Sequence, residues 1–356
     1  MNAAKFLSLA AVVCCAACTD ALVGPSVSTS HADLFDDVWR AVDLHYSFFE
    51  FKKVNWDSVG AHYRPLALAA PTDRVFASVL SQMLRELQDI HVSITPTGTA
   101  TTTRFLAASD TARTYFTWDL VSRRYVPGSR LSTSGHVRSG TTAANVGYLR
   151  IANFAGGPWE SEVDDALERL SAGGVRTLIV DVRDNGGGQY KLAASIAGRF
   201  ADRTRTFGYL RYRNGRGHGD FTNFIAETVS PAGPRQFNGR VYVLTNRRAL
   251  SSAEDFVLAM RVLPTVTVVG DTTGGASGGP IVRELPNGWT YQLSEWIEYT
   301  TTHQMFEGIG LAPDVVVKAT LADHDHDVDA ALERAIALAV AAPPSWKPGA
   351  ITTTVR

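Results

Sequence analysis

An α/β core with largely parallel strands, entered through a small helical domain, is the fold this sequence predicts. Three observations carry that expectation. Apolar residues recur at three- and four-residue spacing across residues 31–96, and short apolar runs alternate with helix-like stretches across residues 146–342. The Thr-, Ser- and Gly-rich segment between them, residues 97–145, offers only short alternating pieces and reads as a β-rich insertion. With 45% hydrophobic and 19% charged residues, the 356-residue chain has the balance of a globular protein with room for one large core or two smaller ones.

Taken in order, the chain opens with Lys5 and an apolar stretch, Phe6 to Ala17, whose length suits the h-region of a signal peptide rather than a membrane span. Residues 1–18 are therefore expected to be absent from the mature fold. All three cysteines, Cys14, Cys15 and Cys18, fall in this segment, so the exported domain is expected to hold together without an internal disulfide. The run C-A-A-C resembles the lipobox of bacterial lipoproteins, which makes Cys18 the expected lipidation site and the only route of membrane contact. Plain cleavage with release into the periplasm is the alternative, and both place the protein in a bacterial cell envelope. Residues 19–30, small and polar, read as a tether.

Leu34, Val38, Ala41 and Leu44 form one helical stripe, and Val75, Phe76, Val79, Leu80, Met83, Leu84 and Leu87 form another. From Val146 the pattern changes. V-G-Y-L-R-I, T-L-I-V-D-V, V-Y-V-L-T and V-T-V-V-G are separated by helices near Trp159 to Ala172, Tyr190 to Phe200 and Ser252 to Leu263. Strands apolar on both sides require a sheet covered on both faces, hence a largely parallel α/β core. Hairpin-like strands around Pro286-Asn287-Gly288, a loop from Glu307 to Asp314 and a helix from about Val328 to Val340 close the core, and residues 343–356 form a tail.

Lys and Arg number 34 against 35 Asp and Glu with no basic run, so the electrostatic footprint of a nucleic-acid binder is missing. Two loops can carry chemistry. D-V-R-D-N-G-G-G-Q, Asp181 to Gln189, follows one apolar strand and opens a helix; its glycines let backbone N–H groups converge on an anion at the positive end of the helix dipole. That suits an oxyanion hole, with a plain tight turn as the alternative. A phosphate loop is disfavoured, because neither G-x-G-x-x-G nor G-x-x-x-x-G-K-S/T occurs, and no cofactor is expected. A-L-S-S-A-E-D-F likewise follows a strand and opens a helix, which exposes a serine where developing negative charge is favoured. Ser251 and Glu254 also match a helix capping box, and by itself the motif fits that reading better.

Several further segments occur in a fixed order with these two: F-D-D-V-W-R-A-V-D-L-H-Y-S-F-F-E-F-K-K-V-N-W-D, L-Q-D-I-H, V-G-Y-L-R-I-A-N-F, V-V-G-D-T-T-G-G and F-E-G-I-G-L-A-P-D. From Phe35 to the last helix the chain thus resembles the carboxyl-terminal processing peptidases and the tricorn core. The resemblance implies a crotonase-like (ClpP/crotonase) α/β spiral and hydrolysis of peptide or protein substrates through an acyl-enzyme. It makes Ser251 the nucleophile, with Ser252 as rival; Ser251 is preferred because it lies three residues before Glu254. The Ser-Lys dyad of the processing peptidases is disfavoured, since the lysine position is Ala276. The tricorn-like arrangement implies His91 as general base and Glu307 as the group orienting it. Gly187 and Ser252 are then the expected oxyanion donors.

About fifty residues separate His91 from Val146, too few for the PDZ domain of processing peptidases, so recognition of free carboxyl termini does not follow. A relative that has lost catalysis and binds peptides or hydrophobic ligands is the rival function, and an acyl-CoA enzyme of crotonase type a distant third. The acidic and His-rich run Asp323 to Asp329 is read as a helix N-terminus rather than a metal site. The aromatic group Tyr46, Phe48, Phe49, Phe51 and Trp56 is read as packing.

Overall fold

A computed structural model describes residues 28–98 and 103–341. The expected signal segment with Cys18, most of the tether and the tail lie outside the described residues. No helix among the described residues is long and apolar enough to cross a membrane.

Four helices open the fold: α1 (His31–His45), α2 (Phe49–Lys52), α3 (Trp56–Leu68) and α4 (Asp73–Arg85). Ser30, Asn55 and Thr72 cap α1, α3 and α4, each accepting an amide hydrogen bond from the first turn. Leu34, Phe35, Val38 and Val42 bury the inner face of α1. Leu44 of the expected stripe is 38% exposed, as is Val75, because the buried face turns slightly away from both. Strands β1 (Ser93–Thr95) and β2 (Thr103–Arg104) follow.

The segment expected to be β-rich holds helical turns as well: α5 (Ala108–Thr111), α6 (Trp118–Leu120) and a π turn at Val121–Tyr125, before strands β3 (Arg130–Leu131) and β4 (Val137–Thr141). Trp118 there lies under Arg138, 4.6 Å from its guanidinium carbon, and Val121 is fully buried. Tertiary contacts of this kind override the weak alternation of the sequence.

The core comprises β5 (Gly147–Ile151), α7 (Glu160–Ala172), β6 (Thr177–Asp181), α8 (Tyr190–Ala197), β7 (Arg205–Tyr212), β8 (Ile225–Val229), β9 (Arg240–Thr245), α9 (Ser252–Arg261), β10 (Val266–Gly270), β11 (Pro280–Glu284), β12 (Thr290–Ser294), β13 (Trp296–Thr300), β14 (Val315–Val316), α10 (Leu321–Asp325) and α11 (Ala330–Ala341). Its main sheet runs β14-β10-β9-β6-β5-β4-β3, parallel from β14 to β5 and antiparallel at β4 and β3. This is the crotonase-like α/β core. Leu178 and Val180 of β6 pack in one buried cluster with α7, α8 and α9, and Ile179 packs in another with α11. Both faces are covered, which is why the strands read as unbroken apolar runs.

The helical domain is not a self-contained block of sequence. β1 pairs with β12, and Leu285, Trp289, Tyr291, Leu293 and Ile297 complete the buried cluster of α1 to α4. Residues 280–297, placed by the sequence in the peptidase core, thus belong physically with the helical domain. The helices cover Leu285, Trp289, Tyr291, Leu293 and Ile297, whereas Ile281 and Val282 of β11 stay exposed.

Candidate active site

β6 and β9 are parallel neighbours, with Asp181 opposite Leu244, so the loops leaving their carboxyl ends lie side by side. Open α/β sheets bind ligands at this end. One loop is the Gly-rich segment, and the other turns through Asn246 to Leu250 into Ser251.

The charged residues of the Gly-rich motif are structural. Asp181, fully buried, accepts hydrogen bonds from Tyr148 Oη at 2.6 Å and from Arg183, which also reaches Asp329 at 2.7 Å. The glycines serve the turn: a Cβ on Gly187, at φ 91°, would sit 2.8 Å from Ser251 Cβ and 2.7 Å from Leu250 O. The two loops can therefore meet only if residue 187 has no side chain.

Ser251 itself is held at φ 55°, ψ −129°, a conformation costly for a residue with a Cβ. Its N–H donates to Glu254 Oε2 at 3.1 Å, and its hydroxyl makes no capping bond. Glu254 does far more than close a capping box. Fully buried, it also accepts from Thr273 Oγ1 at 2.5 Å, Gly275 N at 2.8 Å and Ala276 N at 2.7 Å, fastening the Ser251 turn to the loop after β10. Burial pushes its carboxyl up in pKa and these four donors oppose that. The rival Ser252 is 3% exposed, with Oγ donating to Gly188 O at 2.9 Å. Of the two serines, only the partly exposed Ser251 keeps a hydroxyl without a partner among the described residues.

Two expected roles are corrected. The Gly187 N–H is already given to Asn185 Oδ1 at 2.9 Å, so it is not a free oxyanion donor. The amides of Gly188 and Ser252 have no hydrogen-bond partner among the described residues. Glu307 does not hold the His91 ring. It is 4% exposed; Oε1 binds Lys52 Nζ at 2.9 Å, and Oε2 accepts from Ser277 N at 2.9 Å and Ser277 Oγ at 3.0 Å. A buried carboxylate gains more from an ammonium group and two donors than from a neutral imidazole.

His91 follows a turn in which Gln88 is left-handed at φ 48°. Its N–H donates to Asp89 Oδ1 at 2.8 Å, and its Nδ1 lies 3.1 Å from Ser277 O. That contact is made by an Nδ1–H donor, which leaves Nε2 as the basic nitrogen. Burial lowers the His91 pKa, opposed by the charge of Asp89. No hydrogen bond joins His91 to Ser251. Beside Glu307, a cleft of about 330 Å³ opens among Gln88, Ile90, Phe105, Ala108 and Arg247. A larger cavity of about 670 Å³, near Val175, Phe237 and Arg240, lies at the opposite ends of β6 and β9 and holds none of these groups. In the acidic run after β14, Thr320 caps α10, accepting from the Asp323 N–H, and the Asp323 carboxylate accepts from the Thr320 N–H in return. Lys52, Ser277 and Asp89 were given no role from the sequence, although Lys52 and Asp89 lie in the F-E-F-K-K and L-Q-D-I-H segments.

A strained serine at a helix N-terminus, backed by a glycine turn at the carboxyl end of a parallel sheet, defines the α/β hydrolytic class of site. The family model described as peptidase family S41 matches residues 145–317, and that of the tricorn protease C1 domain matches residues 28–85. A Parabacteroides merdae protein of known structure, a candidate peptidase, is 33% identical, with 90% of this chain and 100% of that chain covered and a TM-score of 0.78. The chain belongs to peptidase family S41. The carboxy-terminal processing protease CtpA of Bacillus subtilis is 26% identical over 182 residues, 51% of this chain and 36% of that protein. The chain thus spans well under half the length of this curated relative. The tricorn protease structure shares the fold at 16% identity and a TM-score of 0.55, covering 87% of this chain and 36% of that one.

Proposed function

We propose that the protein is a serine peptidase that hydrolyses peptide bonds of envelope proteins or peptides, with Ser251 as nucleophile and His91 as general base. The observation that carries this reading is the strained Ser251, its hydroxyl unpartnered, at the N-terminus of a buried helix. Ser251 Oγ attacks the scissile carbonyl carbon while its proton passes to His91 Nε2. The carbonyl oxygen takes the negative charge, facing the amides of Ser252 and Gly188. Collapse breaks the C–N bond, and the leaving amine takes the proton from His91. Water then repeats the sequence on the acyl-enzyme. Because His91 and Ser251 are not bonded at rest, substrate binding must bring them together.

The expected leader, residues 1–18, would deliver the chain to the bacterial envelope, with Cys18 as lipid anchor. Intact mass and detergent partitioning of the membrane fraction test that, since Cys18→Ser would release the protein.

The open His91–Ser251 pair is the one observation favouring a peptide-binding protein without catalysis. Incubation with a peptide library, read by mass spectrometry, separates the two. Cleavage by the wild type and none by Ser251→Ala supports the peptidase; peptide retention without cleavage by either supports the binder.

A further inference from the structure

We propose that Lys52, a residue of the helical domain, is a positioning residue of the hydrolytic site. Its ammonium group ties Glu307 to the turn carrying His91 and, through Ser277, fixes the orientation of the His91 ring. The inference rests on the Ser251–His91 reading and goes beyond it.

The contacts form a chain. Lys52 Nζ donates to Gln88 O at 2.8 Å, three residues before His91, and meets Glu307 Oε1 at 2.9 Å. Glu307 Oε2 holds Ser277 by both its N–H and its hydroxyl, and Ser277 O receives His91 Nδ1. Lys52 is 11% exposed and Glu307 4%, so neither charge is well solvated; the Phe48 ring lies 5.5 Å below the ammonium. Among the described residues the only ion-pair partner of Glu307 is thus supplied by another part of the chain, while residue 276 of the core is alanine.

The charges around this chain decide what removal of Lys52 does. Glu307 faces Lys52 and the fully buried Asp89, and Arg247 lines the adjoining cleft. His91 faces Asp89, Lys52 and Arg104. Burial, then the charge of Asp89, pushes Glu307 up to about 7 even with Lys52 opposing them. Without Lys52 its carboxyl would hold a proton at neutral pH. A neutral Glu307 grips the two Ser277 donors less strongly, the Ser277 carbonyl shifts, and the His91 tautomer is no longer fixed. Misplacement of this order costs roughly 10- to 100-fold in rate.

The test compares wild type, Lys52→Met, Lys52→Arg and Lys52→Met/Glu307→Gln. The first readout is the His91 ring by ¹⁵N NMR of histidine-labelled protein, its signals identified by their loss in His91→Gln. The second is the rate at which a fluorophosphonate labels Ser251 across pH. Lys52→Met is expected to give a mixed His91 tautomer and a labelling rate at least about tenfold low near neutral pH. The deficit should narrow as pH rises and Glu307 ionises, and the double variant should keep the mixed tautomer with a deficit that no longer narrows at high pH, because an amide does not ionise. A purely structural ion pair would behave differently: Lys52→Met would keep the wild-type His91 spectrum, or lose the same fraction of labelling at every pH. Either result overturns the proposal. Should Lys52→Met not fold, Lys52→Gln takes its place under the same criteria. Absence of labelling in the wild type at all pH values would instead refute the nucleophile, while the NMR arm still decides the role of Lys52.

Discussion

Ser251 and Ser252 differ by one position and by everything around them. Ser252→Ala removes the donor to Gly188 O, a buried bond worth about 1–3 kcal/mol when one side is left unsatisfied, so thermal unfolding should drop while chemistry at Ser251 survives. Ser251→Ala should lower hydrolysis by about 10⁴-fold or more with little change in unfolding temperature. Gly187→Ala should damage both. Its φ of 91° and the 2.8 Å approach to Ser251 Cβ make a methyl group there push the nucleophile out of place, visible as lower stability and slower labelling together. The D-V-R-D-N-G-G-G and L-S-S-A-E motifs, each ambiguous alone, were legible through their order with the other segments that carry the resemblance. The partners of Glu307 were not, because Lys52 lies 255 residues away and no local pattern encodes such a contact.

At the scale of elements, α8, α9 and the β8–β7–β13 sheet meet over three carboxyls that have no ion-pair partner among the described residues. Glu227, Asp255 and Glu298 are each under 10% exposed, and Glu227 Oε1 and Asp255 Oδ1 have no hydrogen-bond partner among the described residues. Burial first, then mutual repulsion, drives Asp255 up to about 8 and raises Glu298 well above its usual range; burial drives Glu227 up to about 7. The sign follows directly. The folded state keeps protons that the unfolded chain releases above about pH 4, so this stabilisation is complete below that pH. It fades as pH rises through 7 to 8. The unfolding temperature should therefore fall as pH rises from about 4 and level off above about pH 8, and Asp255→Asn should flatten that slope. An unchanged slope in the variant would mean the protons lie elsewhere. The apolar strands and amphipathic helices were readable from periodicity, whereas the helical turns at Ala108–Thr111 and Trp118–Tyr125 were not, since they are held by tertiary contacts rather than by their own pattern.

In the whole molecule, the chain leaves the helical domain at β1 and returns to it at β11 to β13, so the two halves share a buried cluster. One cooperative unfolding transition is expected rather than two, and Trp289→Ala, at a site 5% exposed against Phe76, should lower it by about 3–5 kcal/mol. Two separate calorimetric transitions would contradict the shared core. The order of the sequence blocks suggested a clean boundary near residue 145, but periodicity cannot reveal which distant strand a helix covers. The same return brings His91 and Ser277 together, and so joins the base to the loop fastened behind the nucleophile. The proposed function requires Ser251 to be a nucleophile activated by His91. Its most direct test is fluorophosphonate labelling of the mature protein followed by peptide mapping. The adduct is expected on Ser251, absent in Ser251→Ala, retained in Ser252→Ala and formed about 10²- to 10⁴-fold more slowly in His91→Ala; an adduct on Ser252, or labelling indifferent to His91, would rule out Ser251 and His91 as nucleophile and base.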